Sequence, residues 1–298
     1  MRRKVALSLP SFAVIADIHG NLPALDAVLA DLERVRPDRI VVAGDFVNRG
    51  PQSRAVMERI APYEFPAISG NHDTWLAMLS RGEGKPPEWD TSWCTPVRLA
   101  MEETGAEWLR WLEALPATMR LELPGTTPVR IVHGSPRHSR EGMGRMCSDA
   151  EATAALAGVE EPLIIGAHIH YPFVRTVGAQ QVVVIGAVGC PFNGDINAQY
   201  GLFHWDEDAK QWRFEHRSVP YDHEPLYTAW RDGGYLADGS LASELMMREH
   251  QTARTHYVPF WEWCLAHHLD LTRDNMERFL AEREPFTPPP MRFASSSV

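Results

Sequence analysis

The sequence predicts an α/β fold. Apolar runs rich in Val, Ile and Phe alternate with helical patterns over the first two-thirds of the chain, the texture of sheets covered by helices. The second half is richer in short strands, and from about residue 221 the pattern turns helical. Residues 12–16 (FAVIA) form a continuous apolar run, as expected of a strand buried on both faces. Residues 22–35 follow with apolar side chains at helical spacing (Leu22, Leu25, Val28, Leu29, Leu32); Asn21 suits the N-cap and Pro23 the first turn. Residues 39–43 read as a second strand, 52–61 as a helix, 65–69 as a third strand and 74–80 as another helix. The Gly- and Pro-rich stretch 81–96 reads as a surface loop, and 97–114 as a helix. Strands are expected at 118–123, 128–132, 162–166, 173–177, 181–186, 199–205 and 211–218, with a helix at 149–157 among them. Helices are expected at 222–231, 240–250, 257–268 and 272–283, before a Pro- and Ser-rich tail expected to fray.

Composition narrows the function. Of 298 residues, 44% are hydrophobic and 23% charged, a balance that supports a sizeable core. No run approaches the roughly 20 apolar residues needed to cross a bilayer, and no membrane partner is expected. The basic residues Arg2, Arg3 and Lys4 precede an apolar stretch, as in a signal peptide. Pro10 interrupts that stretch, no small-residue cleavage site follows and Asp17 closes it, so a cytoplasmic protein is expected. Four scattered cysteines with no CxxC pair argue against a disulfide framework or a zinc ribbon. The formal net charge is −10. A long nucleic acid is gripped by a basic face that neutralises its phosphates; this composition disfavours one and leaves a small phosphorylated substrate open.

Five segments each place metal-binding side chain types just after an apolar run: Asp17-Ile18-His19, Gly44-Asp45, Gly70-Asn71-His72-Asp73, His133-Gly134 and His168-Ile169-His170. Singly, each has an ordinary explanation. An Asp after a strand starts a turn, Asn71 could cap a helix, and a lone His is commonly a satisfied core residue. Together they would converge at the carboxyl ends of the strands, where open α/β sheets bind ligands. Mixed carboxylate, amide and imidazole donors without thiolate suit Mn²⁺, Fe, Zn²⁺ or Ni²⁺ better than Ca²⁺ or Mg²⁺. Seven donors exceed one tetrahedral zinc and suit two ions sharing a carboxylate, about 3.5–4 Å apart.

The order DIHGN, GDFVNRGP, GNHD, VHG and GAHIH resembles the calcineurin-like metallophosphoesterase superfamily over roughly residues 12–205. That resemblance implies a four-layer αββα sandwich of two mixed sheets flanked by helices, to which the helical pattern after residue 221 adds a C-terminal helical extension. The expected division is residues 1–220 as the metallophosphoesterase domain, 221–284 as a helical extension packed on it and 285–298 as a flexible tail. It further implies that Asp17, His19 and His170 hold one divalent cation and that Asn71, His133 and His168 hold the other, with Asp45 bridging. Manganese is the expected metal. His72 would face the phosphate and protonate the leaving oxygen, with Asp73 orienting its imidazole; a metal-bound hydroxide would attack phosphorus.

Within that superfamily, GDFVNRGP is similar to a loop of serine/threonine protein phosphatases and diadenosine tetraphosphate hydrolases. There, an arginine at the Arg49 position grips phosphate. GAVGCPFNGDINAQYGLF resembles a Gly-rich segment of small bacterial phosphodiesterases, which makes Cys190, Asn193 and Asn197 candidate substrate contacts; turn chemistry explains them equally well. Ala167 stands where the family usually has Gly, a change expected to affect backbone packing rather than metal binding. The segment after 221 has no counterpart in the resemblance. It could cover the site, extend the core or join two copies in a homo-oligomer, and its aromatic cluster Phe260, Trp261 and Trp263 could be core or substrate platform. The expected activity is hydrolysis of small phosphomonoesters or phosphodiesters of cyclic-nucleotide or nucleotide type. Protein phosphatase and dinucleoside polyphosphate hydrolase are the alternatives, and a non-catalytic binding scaffold is the rival from another class. Scaffold members typically lack the histidine at the His72 position. A nuclease would need a basic groove that the composition does not offer.

Overall fold

A computed structural model describes residues 9–282; the Arg2-Arg3-Lys4 cluster and the expected flexible tail lie outside the described residues. Nine strands and nine α-helices are present among the described residues, in an order that interleaves them through most of the chain. Two mixed sheets form. The first has the order β2 (Arg39–Val42), β1 (Ser11–Ile15), β8 (Ala198–Asp206), β9 (Gln211–Val219). The second has the order β3 (Thr118–Leu121), β4 (Val129–Val132), β5 (Leu163–Gly166), β7 (Gln180–Ile185), β6 (Pro172–Val177). Each sheet has parallel pairs at its centre or edge (β1 with β2, β4 with β5, β5 with β7) and antiparallel pairs elsewhere.

The layering follows from the period-2 alternation of strand side chains. Phe12 and Val14 of β1 face inward with Ile131, Ile165, Val183 and Ile185 of the other sheet, in one cluster between the sheets. Ala13 and Ile15 point the other way, joining Leu25, Val28 and Leu29 of α1 (Leu22–Val35) and Val56 and Met57 of α2 (Ser53–Ile60). Residues 12–15 are therefore fully buried on both faces. On the far side of the second sheet, Val132, Ile164 and Val182 pack with Ala152 and Leu156 around α5 (Asp149–Ala155). The result is helix, sheet, sheet, helix.

Helix α1 occupies the expected residues. Asn21 caps it by accepting from the Ala24 amide at 3.1 Å, and its own amide group donates to the Gly189 carbonyl at 2.8 Å. Residues 65–69 are not a strand; the segment is too short between turns to pair and makes a single parallel bridge, Val42 to Ala67. Helix α3 (Asn71–Ser80) starts earlier than expected, with Asn71 inside its first turn and Gly70 as its cap. Helix α4 (Thr95–Glu113) is broken at Gly105, whose φ of 78° no ordinary side chain adopts comfortably.

The C-terminal helices are α6 (Glu224–Asp232), α7 (Leu241–Thr252), α8 (Tyr257–His267) and α9 (Arg273–Glu282). Leu245, Phe260, Met276 and Phe279 join the same cluster as α1 to α4, so these helices bury their apolar sides against the main core. Trp230 and Met246 form a satellite cluster with Leu226 and Tyr235. The aromatic trio divides: Phe260 is fully buried and Trp263 packs on Phe279, whereas Trp261 remains exposed.

Asp31 ties α1 to the sheet beneath it. Its carboxylate accepts from the Tyr200 hydroxyl at 2.7 Å, from Arg217 at 2.9 Å and from Arg34 at 2.8 Å. Burial opposes the charge, but Tyr200, Arg217 and Arg34 outweigh it and hold the carboxyl below its ordinary value. A depressed folded-state pKa stabilises above the unfolded value near 3.9 and is lost as pH falls through the lower folded value. Asp31→Ala should cost about 1–3 kcal/mol at pH 7, because it leaves Tyr200 and Arg217 short of an acceptor. Urea melts from pH 7 to pH 3 should show that difference narrowing at the acid end; a constant difference would contradict the assignment.

Candidate metal centre

The five candidate segments meet at one place. Asp17 and His19 follow β1, Asp45 follows β2, Asn71 and His72 open α3, His133 follows β4, and His168 and His170 follow β5. Three groups, Asp17 with His19 and His170, His19 with Asp45 and His72, and Asp45 with His133 and His168, each bring one donor atom per residue within 4.8 Å of one another. Asn71 joins them, its Oδ1 lying 3.1 Å from His133 Nε2.

The backbone is bent to make this possible. Asp17, His19, Asp45, Asn48, Arg49, His168 and His170 all have left-handed φ between 48° and 69°, a conformation costing about 1–3 kcal/mol per ordinary residue. Interlocking amide bonds hold it: Asp17 N–H to Gly44 O at 3.0 Å, His19 N–H to Asp45 O at 3.1 Å and Gly189 N–H to Asp17 O at 2.9 Å. Two glycines permit the approach. A Cβ on Gly70 would lie 2.0 Å from Asp45 Oδ1, and one on Gly189 would lie 1.8 Å from the Ile18 carbonyl oxygen.

The donor atoms are aimed by what their other ends do. His19, His133 and His170 donate from Nδ1 to the carbonyls of Val47 (3.2 Å), Ala43 (2.8 Å) and Cys190 (2.5 Å), which leaves Nε2 of each turned inward. His168 is reversed: its Nε2 donates to the Arg140 carbonyl at 3.1 Å, leaving Nδ1. Asp17 uses Oδ2 to accept from the His168 amide, and Asp45 uses Oδ1 to accept from the His72 amide. The remaining oxygens, Asp17 Oδ1 and Asp45 Oδ2, are buried without a hydrogen-bond partner. Meanwhile His19 Nε2 faces His170 Nε2 at 3.1 Å, although each ring has committed its N–H elsewhere.

Orphaned buried carboxylate oxygens and opposed imidazole lone pairs need positive charge between them. The donor set therefore fits divalent cations. Asp45 Oδ2 lies 3.6 Å from His19 Nε2 and 3.1 Å from His133 Nε2, between the two halves of the cluster. Burial, with the charges of Asp45 and Asp73, pushes the Asp17 carboxyl up to about 8 even though His133 opposes the shift. Against burial, Asp45 and Asp17 raise His133 to about 10. Both protons must leave when cations bind, so uptake should tighten as pH rises from 6 to 8. Calorimetric titration with Mn²⁺ in buffers of different ionisation enthalpy should register proton release; none would contradict this geometry.

His72 and Asp73 do not pair, contrary to the expected dyad. Adjacent residues on a helix point apart. Asp73 turns inward and accepts the amides of Asp45 (2.8 Å), Phe46 (2.9 Å) and Gly70 (2.9 Å), locking the Asp45 loop onto α3. His72 Nδ1 instead lies 2.8 Å from the side-chain amide of Asn48. Asn48 Oδ1 already accepts the Arg49 amide at 2.8 Å, so its NH₂ group donates to His72 and the ring's own N–H sits on Nε2. Burial, with Arg49, His168 and His133 nearby and Asp45 opposing, lowers His72 to about 3 and keeps it neutral. Asn48 stands in the GDFVNRGP segment, three residues after Asp45, and it, not the adjacent Asp73, is the partner of His72.

Arg49 reaches the centre's cleft, but with a partner. Its guanidinium pairs with Glu249 of α7 and lies 5.3 Å from the Phe192 ring centroid. Glu249 also accepts the amides of His256 (2.7 Å) and Tyr257 (2.9 Å), capping α8. A cleft of about 420 Å³ opens over the centre, lined by Arg49, His72, Trp75, Arg140, Phe192 and Tyr257 among others. The predicted contacts Cys190, Asn193 and Asn197 are not among its lining residues. Cys190 is buried and contributes its carbonyl to His170. Asn193 exchanges hydrogen bonds with Gln199 at 3.1 and 2.9 Å, and Asn197 sits in a turn against Asp195. Phe192, stacked on His170 at 4.5 Å, is the member of this segment that meets the cleft.

Residues 11–208 match the calcineurin-like phosphoesterase superfamily domain. The chain belongs to that superfamily. The superfamily match, together with the tetraphosphatase relatives below, identifies it as a metal-dependent phosphoric ester hydrolase. An uncharacterised protein of Methanocaldococcus jannaschii is 26% identical over 230 residues, covering 72% of this chain and 89% of that protein. The symmetrical bis(5′-nucleosyl)-tetraphosphatase of Neisseria meningitidis is 33% identical over 109 residues, 36% of this chain and 38% of that enzyme, so the match spans well under half of that enzyme's length. The crystal structure of a metallophosphoesterase from Sphaerobacter thermophilus superposes with a TM-score of 0.62 at 25% identity, covering 83% of this chain and all of that one. A hypothetical protein from Pyrococcus horikoshii shares the fold at a TM-score of 0.66 and 21% identity, over 80% of this chain and 98% of that one. In this phosphoesterase no described helix is long and apolar enough to cross a membrane, and its four cysteines are unpaired thiols.

Proposed function

We propose that this phosphoesterase hydrolyses small phosphomonoesters or phosphodiesters of nucleotide type, using two divalent cations held in one cage. The two buried carboxylate oxygens with no hydrogen-bond partner, inside a ring of inward-facing imidazole nitrogens, carry the reading. Asp17, His19 and His170 would hold one cation, Asn71, His133 and His168 the other, and Asp45 would serve both. Bound there, the cations would lower the pKa of water towards about 7 and neutralise phosphate charge. Manganese is the first choice for this oxygen and nitrogen donor set, with Fe, Zn²⁺ and Ni²⁺ chemically similar.

The chain's own groups supply the rest. His72 presents Nε2–H towards the ester; a phosphate arriving beside it raises its pKa so that Nδ1 takes up a proton, the Asn48 side chain turning to accept it, and the imidazolium then gives its Nε2 proton to the leaving oxygen. Arg49 offers a planar fork to phosphate oxygens, with Glu249 keeping it extended across the cleft. Arg49 and Arg140 are the cations lining that cleft, which suits a compact phosphate better than a long polyanion. Unpaired cysteines throughout agree with a reducing, cytoplasmic setting.

Purified protein with Mn²⁺ should hydrolyse at least one of p-nitrophenyl phosphate, bis-p-nitrophenyl phosphate, 2′,3′-cyclic AMP and diadenosine tetraphosphate, and lose that activity with a chelator. The tetraphosphatase similarity favours diadenosine tetraphosphate as the second reading. Metal-loaded protein inert towards all four would overturn the proposal.

A further inference from the structure

The cleft over the metal centre does not end at the phosphate. A second pocket of about 270 Å³ adjoins it, and Trp75, Tyr257 and Val258 line both. The other walls include Trp93, Trp261 and Glu88. Aromatic faces dominate this lining. Trp75 stands one helical turn beyond His72, its ring centroid 6.2 Å from the imidazole. Trp93 stacks on Tyr257 at 4.8 Å and an interplanar angle of 18°.

Two features mark the pocket as a place for a ligand rather than a packing defect. First, it is open: Val258 is 42% and Trp261 37% exposed, on one side of α8, and a large aromatic left facing water beside a polar site is a common sign of ligand contact. Second, it is small. A volume of about 270 Å³ lies at the lower edge of sites that enclose a whole ligand, so it suits one part of a molecule whose remainder lies in the cleft. The wall built by α8 falls outside residues 11–208, the span shared with the superfamily. This chain's extension therefore completes a pocket that the matched span alone, which supplies Trp75, Glu88 and Trp93, does not close.

We propose that this pocket receives a flat aromatic ring of nucleobase size, carried on the leaving group of the ester whose phosphate sits at the metal centre. The side of the cleft decides which part of the substrate it takes. His72 is the group placed to protonate the leaving oxygen, and the pocket opens beside it through Trp75. Stacking on Trp75 and Trp261 is tolerant of which base is present; Glu88 adds an acceptor suited to an exocyclic amine. The inference rests on the proposed phosphoesterase reading and names its substrate class.

The test compares adenosine 5′-phosphate with ribose 5-phosphate, which share a primary alcohol leaving group and differ by the base. With Mn²⁺-loaded protein, kcat/KM should be roughly 5- to 100-fold higher for the nucleotide, the range that base stacking supplies. Trp261→Ala should shrink that ratio, chiefly through KM. Val258→Trp, which adds bulk to the wall that cleft and pocket share, should shrink it too. Leu265→Ala, further out on the same helix, should leave the ratio at the parent value. Titrating adenosine 5′-phosphate should also quench tryptophan fluorescence in the parent and less in Trp261→Ala. Equal kcat/KM for the two esters, with Trp261→Ala and Val258→Trp without effect on the ratio, would overturn the aromatic pocket and leave the phosphoesterase reading standing. Hydrolysis of neither ester, nor of the wider panel, would overturn both.

Discussion

His72→Asn should lower kcat by about 10²- to 10⁴-fold, the range supplied by a positioned general acid, while the protein still takes up its full complement of metal. The reason lies in how His72 is attached. Its backbone amide donates to Asp45 Oδ1 at 2.8 Å, and that bond survives the substitution, so Asp45 stays in place. Its ring nitrogen Nδ1 is occupied by Asn48, which leaves Nε2–H for the substrate. Proximity alone would allow another role, since His72 also comes within 4.8 Å of His19 and Asp45 donors. Metal analysis alongside kinetics separates the two: loss of a cation with the activity would make His72 a ligand, and near-normal turnover would remove it from the reaction.

Asp45→Asn should weaken both metal sites together. Its Oδ2 sits between the two halves of the cluster, and asparagine keeps the acceptor for the His72 amide but replaces the charged inner oxygen by a neutral group. Losing a mere supporting partner of a metal ligand costs about 10–100-fold in affinity; losing the shared charge should cost more at each site. Metal content after dialysis against a weak chelator reads the outcome, and loss of one ion with retention of the other would count against a shared ligand.

Much of the centre was readable because each donor follows directly on an apolar strand: Asp17 on β1, Asp45 on β2, His133 on β4, His168 and His170 on β5. Each donor's place is set by its own strand end, and α1 could be placed to the residue because its cap, its first-turn proline and its apolar spacing agree. Other features lay in helix geometry and in partners distant along the chain. Asp73 looked like a partner for His72 by adjacency, whereas helix geometry sends neighbours apart and turns Asp73 into the loop after β2. Arg49 finds Glu249 across 200 positions, a distance no motif spans. Asn193 was drawn to substrate by a Gly-rich context, yet Gln199 satisfies it. The pocket of Trp75, Trp93 and Trp261 joins three segments far apart in the sequence, and the local pattern around Trp261 fits core and substrate platform alike.

The central claim is that distant donors cage a pair of cations. Metal-depleted protein reloaded with Mn²⁺, freed of excess by gel filtration and analysed by inductively coupled plasma mass spectrometry tests it most directly. The arrangement predicts two ions per chain. A chain that retains none, or binds a single ion at saturating Mn²⁺, would contradict it.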